Sequence, residues 1–331
     1  MNRPRSTRVR RDVDGLLLLD KPSGPTSNAA LQRVKWLFGA RKAGHTGSLD
    51  PLASGMLPIC FGEATKFAGY LLDADKTYRV QARFGVATDT GDAEGRPVAT
   101  VDRPPVTEPE LQAAMAGLTG PIRQVPPMYS ALKHEGRRLY ELARAGQEVP
   151  REAREVRILE FLLEDFDPAT PVFRVRCTKG TYIRTLVEDL ALALGTVGHV
   201  IRLRRLAVAP FAGHRQWTLA ELAALAGPEP GPGVATRALD ACLEPVAAVL
   251  PGWPALELDA LQAQRVGHGG VVPVASGQAV GPVRLFGPGR RFLGVGDVLP
   301  DRTLKARRLV AAPAPPATES AAGLSLRPPD G

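Results

Sequence analysis

The stretch from His45 to Lys66 constrains the fold most, because it breaks both helical and strand patterns over many residues. Only its segment Leu57–Phe61 is apolar enough to predict a strand. The rest predicts a long ordered loop, since several apolar side chains argue against disorder. The residues that interrupt any helix are Pro51, Gly55 and Pro58.

Asp50 is the acid of this loop, and it lies between Leu49 and Pro51. A residue before proline is restricted to extended or turn conformations, so the backbone of Asp50 is constrained. An isolated Asp-Pro pair is usually a structural turn. A catalytic carboxylate is the alternative that the rest of the sequence has to support.

Charge suggests a polyanionic partner. The 331 residues include 42 Lys and Arg against 34 Asp and Glu, a formal net charge of +8. Such an excess favours nucleic acid, with simple solubility as the alternative explanation. Aromatic residues make up only 5%, which argues against broad stacking platforms for single strands.

Cysteine spacing excludes two classes of small domain. Cys60, Cys177 and Cys242 are far apart and form no C-x-x-C pair, so neither a zinc site nor a disulfide framework is predicted. No segment is long and apolar enough for a signal-peptide core or a membrane span. We therefore expect a cytoplasmic protein whose residues 1–13 form a flexible basic arm, either touching phosphates or simply solvated.

Periodicity predicts a mixture of strands and helices. Strict alternation places Tyr78 at the start of the apolar face of one strand, where a core tyrosine is the simplest interpretation. Ser27 is the expected N-cap of the first helix, and Gly85–Thr100 is expected to be a solvated loop. Strands are predicted over Asp14–Asp20, Lys76–Phe84, Val156–Leu163, Val172–Cys177 and Gly198–Val208. Helices are predicted over Glu63–Leu72, after Thr107, after Thr181, after Thr218 and, capped by Asp259, up to Val266.

A basic insertion is predicted over residues 124–157. It begins irregularly at two prolines and then concentrates Lys and Arg, including Lys133, Arg137 and Arg144. Interspersed acids allow a salt-bridged surface, whereas a mobile element that grips phosphates is the functional alternative.

Arg184 occupies the first turn of a predicted helix, next to Tyr182. A cation is unfavourable at the positive end of a helix dipole. We therefore expect Arg184 to have an anionic partner.

The C-terminal part differs in composition. Residues 14–250 form the predicted main domain, with a Gly/Pro linker at Gly227–Gly233. Short Gly-rich strands after residue 250 predict a small β-barrel-like module over 251–310. Residues 311–331 are Pro/Ala-rich and predicted to be disordered.

Six ordered blocks resemble the TruB family of tRNA pseudouridine-55 synthases. They are GLLLLDKPSGPTS, HTGSLDPLASGMLP with GEATK, KTYRV, PPMYSALKHEGRRLYELARAG, CTKGTYIRTLVEDL and HVIRLRR. The resemblance implies a mixed α/β (α+β) catalytic domain with a central curved, mainly antiparallel sheet, and a C-terminal PUA-like module. It also implies isomerisation of uridine to pseudouridine at position 55 in the TΨC loop of tRNA, without cofactor or metal.

The resemblance also assigns residues. Asp50, Tyr78 and Arg184 match the family's catalytic positions. The partner implied is the TΨC stem-loop of tRNA, bound by a monomer without membrane or guide RNA. Substrate contacts are expected from His45, Tyr182, Leu203, Lys21, Lys133, Arg137 and Arg144.

A second function class is an RNA-binding or RNA-folding module without chemistry, using the same basic surface. Intact Asp50, Tyr78 and Arg184 argue against a purely binding version. A metal-dependent deaminase is excluded by the lack of a His/Cys zinc constellation. A P-loop enzyme is excluded because GHTGSLDPLASG lacks the G-K-[ST] ending.

Overall fold

A nine-stranded sheet forms the centre of the first structural unit, Met1–Pro254. Eight strands follow the order β13-β1-β3-β12-β4-β11-β10-β7, and β2 pairs with β3. Among the described strands of this sheet, only the pairs β1/β13 and β3/β12 are parallel, which confirms the mainly antiparallel sheet expected. The strands are β1 (Gly15–Lys21), β2 (Ala43–His45), β3 (Ser54–Phe61), β4 (Lys76–Phe84), β5 (Val86–Thr88), β6 (Pro97–Thr100), β7 (Gly120–Gln124), β8 (Lys133–His134), β9 (Arg137–Arg138), β10 (Arg154–Asp165), β11 (Val172–Cys177), β12 (Gly198–Val208) and β13 (Trp217–Thr218).

The structure is a computed structural model that describes residues 10–102, 105–227, 234–250, 252–275 and 277–311. Two further ladders, β5/β6 and β8/β9, lie outside the central sheet. The helices of the first unit are α1 (Ser27–Leu37), α2 (Ala68–Leu72), α3 (Glu108–Gly117), α4 (Leu139–Arg144), α5 (Ile183–Ala193), α6 (Leu219–Ala226) and α7 (Val234–Asp240), with 3₁₀ turns at Gly62–Phe67 and Val246–Val249.

Alternation along β4 decides which face of the sheet is covered. Val80 and Ala82 are buried in the same core cluster as Leu186 and Leu190 of α5, and apolar residues of α1, α3 and α6 complete that cluster. Because strand side chains alternate between faces, Arg79 points the other way and is exposed. Helices therefore cover one face of the central sheet.

The strand β3 begins earlier than predicted, at Ser54 instead of Leu57. Gly55 allows this because its φ of 100° suits glycine, and an added Cβ would meet the Arg205 carbonyl oxygen at 2.2 Å. The Pro58 carbonyl accepts from Thr46 N at 3.0 Å. The nitrogen of Pro58 lies on the same side of the strand as this carbonyl, away from β1. Its missing N–H therefore costs no hydrogen bond between β3 and β1.

The first helix is capped one residue earlier than predicted. Thr26 is the N-cap and accepts a hydrogen bond from Ala29 N, while Ser27 is the first helical residue. The predicted helix Glu63–Leu72 divides into a 3₁₀ turn and the short α2. Neither β7 nor α7 was predicted from the sequence.

The expectation of a solvated loop at Gly85–Thr100 is wrong in its centre. The segment is the hairpin β5/β6, and Asp92 at its turn is buried. The Ala93 N–H donates to Val200 O, and the Val200 N–H donates to Gly91 O. These bonds attach the hairpin to β12 and bury the acid, which spacing along the chain alone did not reveal.

Two predicted boundaries need correction. The flexible arm does not include Arg11, whose Nη1 donates to Asp240 at 2.8 Å, or Val13, which is buried. The basic insertion runs over 125–153, because Gln124 ends β7 and Arg154 begins β10. Residues 1–9, 228–233 and 312–331 lie outside the described residues, so most of the predicted arm, linker and tail does too.

The described residues of the second unit, Ala255–Gly331, contain a five-stranded sheet of order β14-β16-β17-β18-β15, one α-helix and a 3₁₀ turn at Pro288–Arg290. Asp259 caps that helix as predicted. The curled sheet is consistent with the expected PUA-like module. Its elements are β14 (Ala255–Glu257), α8 (Ala260–Gly267), β15 (Val272–Pro273), β16 (Gly281–Gly287), β17 (Arg291–Val298) and β18 (Thr303–Leu309).

Within the described ranges, no helix is both long enough and apolar enough to cross a membrane.

Candidate active site

A cleft of about 1090 Å³ lies in the first unit, where the loop between β2 and β3 meets the N-terminal end of α5. We call this loop, Thr46–Ala53, the acid loop. Asp50 lines the cleft together with Arg184, the second residue of α5. The cleft therefore contains the acid and the arginine that the sequence singled out.

Arg184 is the ion-pair partner of Asp50. Its Nε lies 3.0 Å from Asp50 Oδ2, and the side-chain exposures are 5% for the arginine and 40% for the aspartate. The pair thus presents a partly open carboxylate to the cleft while the guanidinium stays buried. This geometry confirms that Arg184 has an anionic partner.

The other guanidinium nitrogens of Arg184 bind backbone. Nη1 donates to Thr90 O at 2.6 Å and Nη2 donates to Tyr129 O at 2.7 Å. Asp92 adds a second carboxylate, with Oδ2 4.0 Å from Nε. One buried arginine therefore joins the acid loop, the β5/β6 hairpin and the start of the basic insertion, and its planar fork matches this set of acceptors.

Burial raises the pKa of the Asp50 carboxyl above its ordinary value, because desolvation penalises the charged form. The Arg184 guanidinium opposes this shift by stabilising the carboxylate, and the nearby charge of Asp92 adds to it. Asp50 therefore titrates at a higher pH than an exposed aspartate would.

Buried groups hold the acid loop in place. Ser27 Oγ donates to Leu49 O at 2.9 Å and accepts from Leu49 N at 2.7 Å. Arg205, 1% exposed, donates from Nε to Met56 O at 2.6 Å and from Nη2 to Gly47 O at 3.2 Å. The backbone on either side of Asp50 is thus fixed by residues distant in sequence.

Lys21 also belongs to this supporting layer, contrary to the expectation that it contacts substrate. It is fully buried, and Nζ donates to Ala53 O at 2.7 Å and to Pro22 O at 2.9 Å. Burial lowers its pKa to about 8. Its carbonyl partners, which include Pro51 O at 3.4 Å, place this ammonium beneath the acid loop instead of in the cleft.

The two predicted tyrosines lie close to the ion pair without lining the cleft. The Tyr78 hydroxyl interacts with Arg205, and burial raises the pKa of Tyr78. Tyr182 is the N-cap of α5, and its N–H donates to Gln124 Oε1 at 3.0 Å. Burial also raises the pKa of Tyr182, whose hydroxyl interacts with Ser130. Leu203 lies in the hydrophobic core of the unit, opposite Val80 in register.

The remaining predicted residues divide between the cleft and its surroundings. His45, Lys133 and Arg144 line the cleft. Arg137 does not line it, and its Nη1 donates to Gln147 Oε1 at 3.4 Å. Burial lowers the pKa of His45, which favours the neutral imidazole.

Several residues of the site were missed by the sequence analysis. Asp92 had been assigned to a solvated loop, and only the attachment of its hairpin to β12 places it beside Arg184. Arg205 stands in the quoted block HVIRLRR, but nothing in its spacing distinguishes it from its basic neighbours. Tyr140 lines the cleft with Arg138 and Arg144, whose guanidinium groups lie 5.9 and 5.6 Å from its ring centre.

In the described part of the chain, no group of three or more His, Cys, Asp or Glu side chains is placed to hold a metal ion.

Three family models together match most of the chain. Residues 35–183 match the TruB family pseudouridylate synthase N-terminal domain, and residues 184–251 match the tRNA pseudouridylate synthase B C-terminal domain. Residues 254–310 match a further C-terminal model described as pseudouridine synthase II TruB.

Two curated relatives are named tRNA pseudouridine synthase B. The one from Ectopseudomonas mendocina (strain ymp) is 50% identical over 305 residues, which are 92% of this chain and 97% of that protein. The one from Stutzerimonas stutzeri (strain A1501) is 52% identical over 307 residues, with the same two shares.

Solved structures support the fold. A crystal structure of a Cbf5-Nop10-Gar1 complex is similar with a TM-score of 0.65 and 25% identity, covering 90% of this chain and 81% of that chain. The archaeal box H/ACA sRNP Nop10-Cbf5 complex gives a TM-score of 0.63 at 23% identity, over 90% of this chain and 82% of that chain. With half of its residues identical to those of the curated relatives over almost its full length, this chain belongs to the TruB family of pseudouridine synthases.

Proposed function

We propose that this chain isomerises uridine to pseudouridine at position 55 in the TΨC loop of tRNA. The observation that carries the proposal is the ion pair of Asp50 and Arg184 at 3.0 Å in the cleft of a TruB-family chain. A partly open carboxylate held by a buried cation is the group that this isomerisation needs.

The reaction breaks the N-glycosidic bond, turns the freed uracil, and joins C5 to the same ribose carbon. N1 gains a proton and C5 loses one, so no atom is added or removed. Positive charge develops on the sugar as the bond breaks, and the Asp50 carboxylate either stabilises that charge or attacks the carbon. Uracil leaves as a stabilised anion, so a second carboxylic acid is not required.

Arg184 keeps Asp50 ionised and oriented. Its Nε contacts the carboxylate, and its Nη atoms are held by the carbonyls of Thr90 and Tyr129. The arginine therefore cannot turn away, and the carboxylate keeps one orientation toward the sugar.

The target uridine has to leave the RNA stack before it can reach this site, at a cost of about a few kcal/mol. We propose that His45 fills the space that the base leaves and that Tyr182 contacts the nucleotide. Tyr78 lies against the base or assists removal of the C5 proton, and Leu203 supplies an apolar wall. Exclusion of water then retains the detached uracil.

Basic side chains of the insertion bind the phosphates. Lys133 and Arg144 line the cleft, and Arg137 is exposed nearby in sequence. Such contacts position the RNA without reading its sequence. We propose that the enzyme acts in the cytoplasm as a monomer, without cofactor or guide RNA.

The proposal is tested by incubating an unmodified tRNA transcript with the full-length protein and mapping pseudouridine along it. We expect modification at uridine 55, and none in a transcript with cytidine there or with the Asp50→Asn variant. Modification at another uridine alone would contradict the assigned position. Tight tRNA binding without any pseudouridine would favour the binding module over the enzyme.

A further inference from the structure

The face of the central sheet that the helices leave uncovered carries a cluster of arginines. The three adjacent strands β12, β4 and β11 contribute to it. Their inward residues, such as Val80 and Val175, lie in the core cluster, as does Leu186 of α5. The cleft is on that helix-covered side, because Asp50 in the cleft lies close to Tyr78, which shares a face of β4 with Val80. Side chains that alternate with the inward ones point to the opposite side of the sheet.

Three of these arginines stand in one row. Arg204 of β12 is opposite Arg79 of β4, and Arg79 is opposite Arg174 of β11. Like charges placed directly opposite one another across a sheet are unfavourable. Two acids relieve the row: Glu164 accepts from Arg79 Nε at 2.6 Å and from Arg174 Nε at 2.7 Å, and Asp20 accepts from Arg204 at 2.8 Å.

Three more arginines of this face have no carboxylate partner among the described residues. Arg83, Arg176 and Arg202 are exposed, and among the residues that the structure describes none of them has a carboxylate within 4.0 Å. Glu160 is opposite Arg176 in the strand register, yet it forms no ion pair with it. Six arginines thus share the face with three acids, which leaves a surplus of positive charge on a regular surface.

The surface is suited to phosphates. Adjacent strands are about 4.8 Å apart and rise about 3.3 Å per residue, so three strands and the span from Arg79 to Arg83 cover about 10 by 13 Å. All six cations are arginines, whose planar fork binds a phosphate through two hydrogen bonds.

We propose that this surface, the arginine face (Arg79, Arg83, Arg174, Arg176, Arg202 and Arg204), binds the phosphate backbone of an RNA segment other than the one whose uridine enters the cleft. The two sites are on opposite sides of one sheet, so the nucleotides next to the target cannot reach both. The arginine face therefore binds a second RNA segment while the cleft is occupied.

The test uses the full chain with Asp50→Asn, so that RNA bound in the cleft is not turned over. A short fluorescent oligoadenylate, which contains no uridine, is titrated alone and in the presence of one equivalent of an unmodified TΨC stem-loop. The stem-loop occupies the cleft and brings no other tRNA arm that could reach the arginine face. The triple variant Arg83→Gln, Arg176→Gln, Arg202→Gln removes the three unpaired cations. The matched control, Lys133→Gln, Arg138→Gln, Arg144→Gln, removes three cations from the cleft.

We expect oligoadenylate to bind with the stem-loop present. The face variant should weaken that binding about tenfold and reduce the slope of log affinity against log salt by about two. The cleft control should change the affinity for oligoadenylate less than about twofold. With Asp50 restored, the face variant should form pseudouridine at the wild-type rate. Loss of oligoadenylate binding once the stem-loop is present, or equal losses from both variants, would overturn the proposal. So would competition by polyglutamate as strong as that by RNA, which would indicate an acidic protein partner. Unchanged melting temperatures establish that both variants fold.

Discussion

The acid loop and the basic insertion both reach the cleft, but they are held in opposite ways. Buried side chains from distant elements fix the loop: Ser27 from α1, Lys21 from β1 and Arg205 from β12. The insertion consists of two-residue strands and the six-residue α4, and its basic side chains are mostly exposed. A reacting group needs a fixed position, whereas a phosphate contact tolerates movement. We therefore expect substitutions in the acid loop to lower the reaction rate and substitutions in the basic insertion to lower the affinity for tRNA.

The largest effect is expected from Asp50→Asn, which removes the charge that the loop exists to position. Turnover should fall by at least about four orders of magnitude, while tRNA affinity stays within about tenfold because phosphate contacts dominate binding. Single-turnover pseudouridine formation and filter binding measure the two quantities. Substantial product from a preparation free of wild-type enzyme would end the assignment of Asp50.

Arg184→Lys should slow the single-turnover rate about a hundredfold, the cost of misplacing a reacting group by about an ångström. A lysine supplies charge but cannot contact Asp50, Thr90 O and Tyr129 O at once. The conservative exchange of the exposed Arg137→Lys serves as the control. A near-normal rate for Arg184→Lys would show that the fork does not position the carboxylate.

Ser27→Ala tests the support of the loop without touching the cleft charges. It leaves the N–H and the carbonyl of Leu49 without their buried partner, which costs about 1–3 kcal/mol of folding free energy. We expect a reaction rate about tenfold lower with unchanged tRNA affinity, since Asp50 directly follows Leu49 in the chain. Thr26→Ala removes the α1 cap instead and costs about 1 kcal/mol. Equal losses of rate from both variants would show that Ser27 affects the rate only through the stability of the fold.

Lys133→Gln with Arg144→Gln tests the insertion. Two cleft-lining cations are lost, so affinity should fall about tenfold at moderate salt and the salt slope should become shallower. The rate at saturating tRNA should stay within about twofold of wild type. A lower saturating rate at full affinity would mean that the insertion, like the loop, positions the reacting groups.

The smallest effect concerns pH. Because burial raises the pKa of Asp50 and the reaction needs the carboxylate, activity is present above that pKa and is lost as pH falls through it. The acid limb of the single-turnover rate should therefore lie above the 3.8 of an ordinary aspartate, with the rate halved at the midpoint. A limb at or below that value would show that burial does not control the titration.

Local pattern was enough for much of the fold. Strict alternation located β4 and β11, and capping residues located α3, α6 and α8, because neighbouring residues decide these features. The start of β3 was misjudged, since a strand that contains Gly55 and Pro58 is stable only beside its partners. Sequence blocks also identified the family, and with it Asp50 and Arg184.

Tertiary structure alone decided the surroundings of the acid. Asp92 belongs to the site only because its hairpin is attached to β12. Lys21 lies outside the cleft only because the acid loop covers it. Sequence spacing shows what a residue's neighbours along one helix or strand will be. The partners of Arg184 at Asp50, Thr90 and Tyr129 are far from it along the chain, so only packing of the separate elements brings their charges and carbonyls together.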